Sequence, residues 1–261
     1  MPASPADVSL SGRVALVTGA AAGIGAATAL ALARFGADLA LCDRDAGGLE
    51  TTARTAAELG REVRTEVLDV RHREAVEAWV ATLGRVDILV NNAGGGFNAP
   101  FTDISPKGQA ALVDENFTSV TNFIRACLPA MPDGGSIINV TSIEAVRAAP
   151  GFSIYAAMKA AVEELSRTLA LELSPRRIRV NCVAPDAIPT PGDAALNESV
   201  SAADYGDVVP LGWGTTDDCA GPIVFLASGL SAFMTGTTLH IDGGTDAARG
   251  WRPRPGGGWT P

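Results

Sequence analysis

Tyr155 and Lys159 stand four residues apart in Tyr155-Ala156-Ala157-Met158-Lys159, thirteen residues after Ser142. On a helix an i,i+4 pair shares one face with about 5–6 Å between Cβ atoms, so an ammonium can act on the phenol beside it. A free phenol, with pKa ~10, is a poor base at neutral pH, and a neighbouring ammonium favours its phenolate. A depression of about 2–3 units corresponds to roughly 3–4 kcal/mol of differential stabilisation. Such a phenol can take a proton from an alcohol, or in reverse deliver one to a carbonyl oxygen. A hydroxyl at Ser142 would hydrogen-bond that oxygen as charge develops on it.

A second group of residues opens the chain. Thr18-Gly19-Ala20-Ala21-Ala22-Gly23-Ile24-Gly25 follows a strand-like run and begins a helix-like one, the context in which a glycine turn cradles the phosphates of a dinucleotide. Gly19 allows the tight turn, Gly23 lets backbone approach the pyrophosphate and Gly25 permits close packing of helix on strand. Backbone N–H groups from Gly23 and Ile24 onward would then meet the phosphates. Asp43 ends the second strand-like run, eighteen residues beyond Gly25, where a carboxylate can accept hydrogen bonds from the adenosine ribose hydroxyls. That selects NAD over NADP, because a 2′-phosphate there would meet like charge and neither Ala21 nor Ala22 offers a cation. Arg44 dissents, since a guanidinium could bind that phosphate. Asp69-Val70 and Asn92-Ala93-Gly94 end or follow the third and fourth runs, where they could line an adenosine pocket.

The elements that must position these residues alternate along the chain. Strand-like runs lie at Val14 to Thr18, Asp38 to Cys42, Val63 to Leu68, Ile88 to Asn91, Ile137 to Val140, Ile178 to Val183 and Thr238 to Ile241, each reading as a buried strand. Between them Ile24 to Phe35, Ala46 to Leu59, Arg73 to Leu83, Lys107 to Ala130, Ser153 to Leu173 and Asp217 to Ala227 carry helical, alanine-rich patterns. The fold class is therefore α/β, a doubly wound, Rossmann-like, seven-stranded parallel sheet with helices on both faces. Residues 1–261 read as one domain. Within it, 1–11 is expected as a flexible N-terminus and 186–210 as a mobile substrate lid rich in Pro, Gly, Asp and Ser. The tail, 245–261, carries Trp251 and Trp259 and reads either as disordered or as docked on this or a neighbouring subunit.

Composition narrows the function. A net charge of −9 gives no reason to approach nucleic acid or an anionic membrane, and points to a small-molecule substrate. Met1 to Leu10 lacks the features of a signal peptide, and the apolar stretch Ala26 to Cys42 is broken by Arg34, Gly36 and Asp38, so no membrane span is expected and the location is expected to be cytoplasmic. Four scattered cysteines and two histidines, His72 and His240, leave no material for a metal site or a His-dependent triad.

In these motifs the sequence resembles the short-chain dehydrogenase/reductase family over nearly its whole length: Thr18 to Gly25, Asn91-Asn92-Ala93-Gly94, Ser142, Tyr155-Ala156-Ala157-Met158-Lys159 and Asp242-Gly243-Gly244 occur in the family's order. The resemblance implies that Tyr155 is the general acid/base, that Ser142 holds the substrate oxygen, that Lys159 binds the nicotinamide ribose and that Asn116 completes a proton relay through water. Val180 to Pro185 is similar to the family's sixth strand, with Ile188 and Thr190 where members contact the nicotinamide carboxamide. The family commonly has glycine after this proline; here Asp186 stands in its place, where it could narrow the pocket or read a polar substrate group. Glu144 could bind a second substrate hydroxyl or pair with Arg147, and Phe97, Phe152 and Trp213 could build an apolar wall. The resulting expectation is an NAD-dependent dehydrogenase of a bulky, cyclic or steroid-like secondary alcohol. Its alternatives are an NADPH-dependent 3-oxoacyl-thioester reductase and a non-catalytic dinucleotide-binding protein. The resemblance also implies a homotetramer or homodimer, with the helices of 107–130 and 153–173 at subunit contacts.

Overall fold

The computed structural model describes residues 4–193, 208–254 and 258–260. Seven strands form one parallel sheet: β1 (Val14–Thr18), β2 (Asp38–Asp43), β3 (Val63–Val67), β4 (Ile88–Asn91), β5 (Ser136–Val140), β6 (Arg179–Pro185) and β7 (Thr238–Ile241), in the order β3-β2-β1-β4-β5-β6-β7. The register is continuous across the middle, with Leu16 opposite both Ala40 and Leu89. Every residue of β4 and β5 is buried, as expected where helices cover both faces and a strand reads as an unbroken apolar run. The strand order turns back between β1 and β4, which opens a crevice at the carboxyl ends of the strands there.

Helices α1 (Gly23–Arg34), α2 (Ala46–Glu58) and α7 (Thr216–Ala227) cover one face, packing Leu32, Leu49 and Ile223 against Val17 and Val90. Helices α3 (Arg73–Leu83), α4 (Pro106–Val113), α5 (Ser119–Cys127) and α6 (Ser153–Glu172) run between the remaining strands. Of these, α3, α5 and α6 bury Trp79, Phe123 and Val162 against Leu16, Leu89 and Val180 on the opposite face. Helix α1 can approach β1 closely because Gly25 has no side chain: a Cβ at this position would lie 2.0 Å from the Gly19 carbonyl oxygen. Among the described residues no helix is long and apolar enough to cross a membrane.

Three expectations change. The third run is an edge strand, ends at Val67 and leaves four of its five residues exposed; with β2 as its one neighbour, Arg64 and Glu66 face water and blunt the edge. The sixth runs on to Pro185 rather than ending at Val183. The helix expected over Lys107 to Ala130 is instead α4, a π turn over Asp114–Thr118, and α5; in the π turn the side chain of Asn116 bonds both the Leu112 carbonyl and the loop at Gly95. Residues 4–11 hold a 3-10 turn over Pro5–Val8 and a fully buried Leu10, whose N–H donates to the Phe35 carbonyl. The tail forms a short helix α8 (Thr245–Ala248) and a two-stranded antiparallel ladder of β8 (Arg252–Pro253) with β9 (Trp259–Thr260), and it leaves Trp251 and Trp259 half-exposed. Of the lid expected at 186–210, residues 194–207 lie outside the described residues, as do 1–3, 255–257 and 261 of the two termini.

Gly25→Ala tests the close approach of α1 to the sheet. The clash is with backbone, so a loss of about 3 kcal/mol or more is expected in urea unfolding; a loss below about 1 kcal/mol would show that the two segments can part without strain.

Candidate active site

The twenty-residue helix α6 carries both Tyr155 and Lys159. Lys159 is buried, its Nζ donates to the Val140 carbonyl at 3.0 Å, and the ammonium lies 5.4 Å from the Tyr155 ring centroid. Burial disfavours the charged form and brings Lys159 down from 10.5 to about 8, so it is still mostly protonated at neutral pH. The next turns of the same helix face are tied to the same strand end. Thr141 donates to Glu163 Oε1 at 3.2 Å, Asn139 Nδ2 donates to Ser166 Oγ at 2.9 Å, and Asn91 Nδ2 donates to Asn139 Oδ1 at 2.8 Å. Thr141, Glu163 and Ser166 were not singled out from the sequence; the signal was a polar stripe at i, i+4 and i+7 from Lys159 on the buried face of an apolar helix.

Ser142 caps a 3-10 turn over Ile143–Ala145, and its Oγ accepts the Glu144 N–H at 3.2 Å. The hydroxyl proton is thereby left to be donated outward. Asn116 is fully buried in the π turn. Its Nδ2 donates to the Gly95 and Leu112 carbonyls at 2.8 and 2.9 Å, and its Oδ1 accepts the Gly95 N–H at 3.2 Å. It braces the loop after β4 behind the site instead of lining the cavity. That loop passes so close that a Cβ on Gly94 would lie 2.9 Å from Asn116 Oδ1 and 3.1 Å from Lys159 Nζ.

Ser142, Tyr155 and Lys159 line one end of a cavity of about 570 Å³. Gly19, Gly23 and Ile24 line its middle, where the N-cap residue Ala22 supplies no capping side chain to the first turn of α1. The N–H groups of that turn are thus suited to phosphate oxygens. Gly25 is not in the wall; it acts in packing. At the far end lie Asp43, Arg44, Asp69 and Val70. Asp43 is oriented by the Ala21 and Asp45 N–H groups at 2.9 and 3.0 Å, and Arg44 reaches 4.0 Å from Glu115. The Arg71 guanidinium beside Asp69 holds its carboxyl down at about 2. Asn92, Ala93 and Gly94 form the wall between, with Asn92 Nδ2 donating to the Thr18 and Gly19 carbonyls. The donor set, the uncapped helix start and the cavity's extent fit a nicotinamide dinucleotide.

The wall also includes Glu144, Phe152, Asp186 and Trp213, with Pro185 and Ile188, while Thr190 packs over Gly23 at the glycine turn. Phe97 is not in this wall; it lies over Gly108 instead. Of the two readings of Glu144, the pairing is present, with Arg147 at 2.8 Å. Backbone strain falls one residue after Asp186, where Ala187 takes φ +53°, and the Ala187 carbonyl accepts the Gly214 N–H at 3.0 Å. All four cysteines are buried, and burial holds the Cys127, Cys182 and Cys219 thiols up at about 12, so none offers a thiolate at neutral pH.

Residues 19–246 match the family model described as Enoyl-(Acyl carrier protein) reductase. The chain is 39% identical to a 3-oxoacyl-(acyl-carrier-protein) reductase of Thermotoga maritima, over 90% of this chain and 98% of that protein. It is 38% identical to a cyclohexanol dehydrogenase of Rhodococcus sp. (strain TK6), over 91% and 97%. The fold is similar to that of carveol dehydrogenase from Mycobacterium avium in complex with NAD, with TM-score 0.85, 30% identity and coverage of 91% of this chain and 99% of that one. It is equally similar to a blue fluorescent protein from a metagenomic library in complex with NADPH, with TM-score 0.84, 35% identity and coverage of 90% and 98%.

The buried ammonium gives a pH signature. The unfolded chain keeps the Lys159 proton up to about 10.5 and the folded one releases it near 8; in between the unfolded state binds more protons, so stability rises with pH. Relative to Lys159→Met, the wild type should gain on the order of 3 kcal/mol between pH 8 and 10.5. Parallel stability curves for the two proteins over that window would contradict the burial of a charged lysine.

Proposed function

The chain belongs to the short-chain dehydrogenase/reductase family, whose members are oxidoreductases of alcohol and ketone groups, and on that premise we propose that it is an NAD-dependent dehydrogenase of a secondary alcohol. The observation that carries this reading is the Lys159 ammonium, anchored on Val140 and 5.4 Å from the Tyr155 ring, at the end of a cavity that Ser142 also lines. In the oxidising direction Tyr155 takes the alcohol proton, its phenolate favoured by the neighbouring positive charge. Ser142 donates its free proton to the substrate oxygen. Lys159 serves as the fixed charge, and its remaining protons suit the nicotinamide ribose hydroxyls. Asn116 spends its side chain on the Gly95 loop, so a water relay at this residue has its main-chain carbonyl in the π turn to work with. The cofactor, when bound, supplies the acceptor or donor of hydride.

The family's cofactor is NAD or NADP, and we assign NAD here. Asp43 supports this, since its carboxylate stands at the adenosine end with both oxygens oriented by backbone N–H groups. Arg44, which could favour NADP, has Glu115 near it. Phe152, Trp213 and Ile188, which line the cavity, support a bulky or cyclic substrate. The thioester-reductase alternative has the Thermotoga relative's name in its favour; Asp43 weighs against its NADPH and the charge of −9 against an acidic carrier. We take the protein to be a cytoplasmic homo-oligomer, dimer or tetramer, a reading supported by Phe233, Leu211 and Phe101, which the single chain leaves exposed.

Two measurements test this reading. Titration with NADH and with NADPH, followed by quenching of tryptophan emission, should give NADH a lead of tenfold or more, about 1.4 kcal/mol; a preference for NADPH transfers the assignment to the thioester reductase. Tyr155→Phe should lower kcat by about 10³-fold while leaving the NADH Kd within about threefold. Retained turnover in this variant would remove Tyr155 from the chemistry.

A further inference from the structure

Beyond Ser142 and Tyr155 the cavity wall carries two carboxylates from different loops, bridged by one guanidinium. Glu144 follows Ser142 after β5, Asp186 follows Pro185 after β6, and Arg147 joins them, with Nη2 2.8 Å from Glu144 Oε1 and 3.2 Å from Asp186 Oδ2. The side chains are 21%, 8% and 31% exposed for Glu144, Asp186 and Arg147. Among the described residues, two carboxylates against one guanidinium leave one formal negative charge beside Ser142. The guanidinium is engaged by both carboxylates, so it is poorly placed to receive an anionic substrate group.

Glu144 lines the cavity and has one oxygen on Arg147, whereas its other, buried oxygen, Oε2, has no hydrogen-bond donor among the described residues. A buried carboxylate oxygen without a donor is unfavourable, and a ligand that brings one relieves it. A hydroxyl meets this need without adding a cation beside Arg147. The site is thus acceptor-rich where the substrate must lie, next to an apolar face made by Phe152 and Trp213.

We propose that Glu144, steadied by Arg147 and backed by Asp186, is a specificity-determining residue that accepts a hydrogen bond from a second hydroxyl of the substrate. The preferred substrates are uncharged diols and polyols with a secondary alcohol, cyclic ones included, and alcohols that bear a carboxylate or phosphate are turned away by the net negative charge. This rests on the dehydrogenase reading above and narrows its substrate class.

The experiment compares kcat/KM for cyclohexanol, trans-1,2-cyclohexanediol and 3-hydroxycyclohexanecarboxylate in the wild type, Glu144→Gln and Glu144→Ala. The wild type should favour the diol over cyclohexanol by about tenfold or more and turn over the carboxylate worst. Glu144→Ala should remove about tenfold from the diol-to-cyclohexanol ratio. Glu144→Gln, of the same shape and with an acceptor oxygen but no charge, should keep part of the diol preference while raising the carboxylate relative to cyclohexanol. Calorimetric Kd values of the diol and cyclohexanol for the enzyme–NADH complex should move in the same direction, independent of the chemical step. A ratio that stays within twofold in Glu144→Ala, or a wild type that prefers cyclohexanol, overturns the proposal while cyclohexanol turnover leaves the dehydrogenase reading standing. No turnover of any of the three alcohols, with NADH binding intact, overturns both.

Discussion

Everything around the reacting end is arranged to keep one ammonium out of water and beside one phenol. A charge acts weakly through solvent and strongly through protein, so the same Lys159 on an exposed helix would do little to Tyr155. Burial opposes the charge, as the lowered Lys159 pKa of about 8 expresses, and the Val140 carbonyl offsets part of that opposition by accepting one of its protons. The carbonyl is available because β5 ends there. Sheet geometry, helix face and titration are therefore linked at a single hydrogen bond.

That link explains buried polar residues which have no direct chemistry. Glu163 and Ser166 continue the Lys159 face of α6 and bond to Thr141 and Asn139 on β5 and its end, so α6 cannot slide or rotate without breaking several interior hydrogen bonds at once. From behind, Asn116 holds Gly95, and Gly94 brings the β4 loop so close that a Cβ there would lie 2.9 Å from Asn116 Oδ1 and 3.1 Å from Lys159 Nζ. The same cavity is lined by the glycine turn at the uncapped start of α1, by Asp43, and by Glu144 and Asp186, which Arg147 bridges.

Much of this was legible in the residues. The central runs at Val14–Thr18 and Ile88–Asn91 are mostly apolar because both faces of a parallel sheet are covered there, and this strand and helix order brings together Tyr155, Lys159, Ser142 and the Gly19–Gly25 turn. Three kinds of feature were not legible. The exposed β3 has the apolar ends of a core strand, and its edge position depends on strand order, which pairing decides and local sequence does not. The π turn at Asn116 coincides with a hydrogen bond to Gly95, 21 residues away, a partner that helical periodicity does not mark. Arg147 reaches Asp186 across 39 positions in the chain, and only the adjacency of β5 and β6 makes them neighbours.

The coupling of Lys159 to Tyr155 can be measured directly, because the chain has two tyrosines. With tyrosine labelled by 13C at Cζ, NMR titration of the NADH-bound protein follows each phenol, and Tyr155→Phe identifies the resonance. The Tyr155 phenol should ionise well below the free value of ~10 in the wild type and move upward in Lys159→Met. A Tyr155 phenol that ionises at or above that value in both proteins would contradict the electrostatic role given to Lys159.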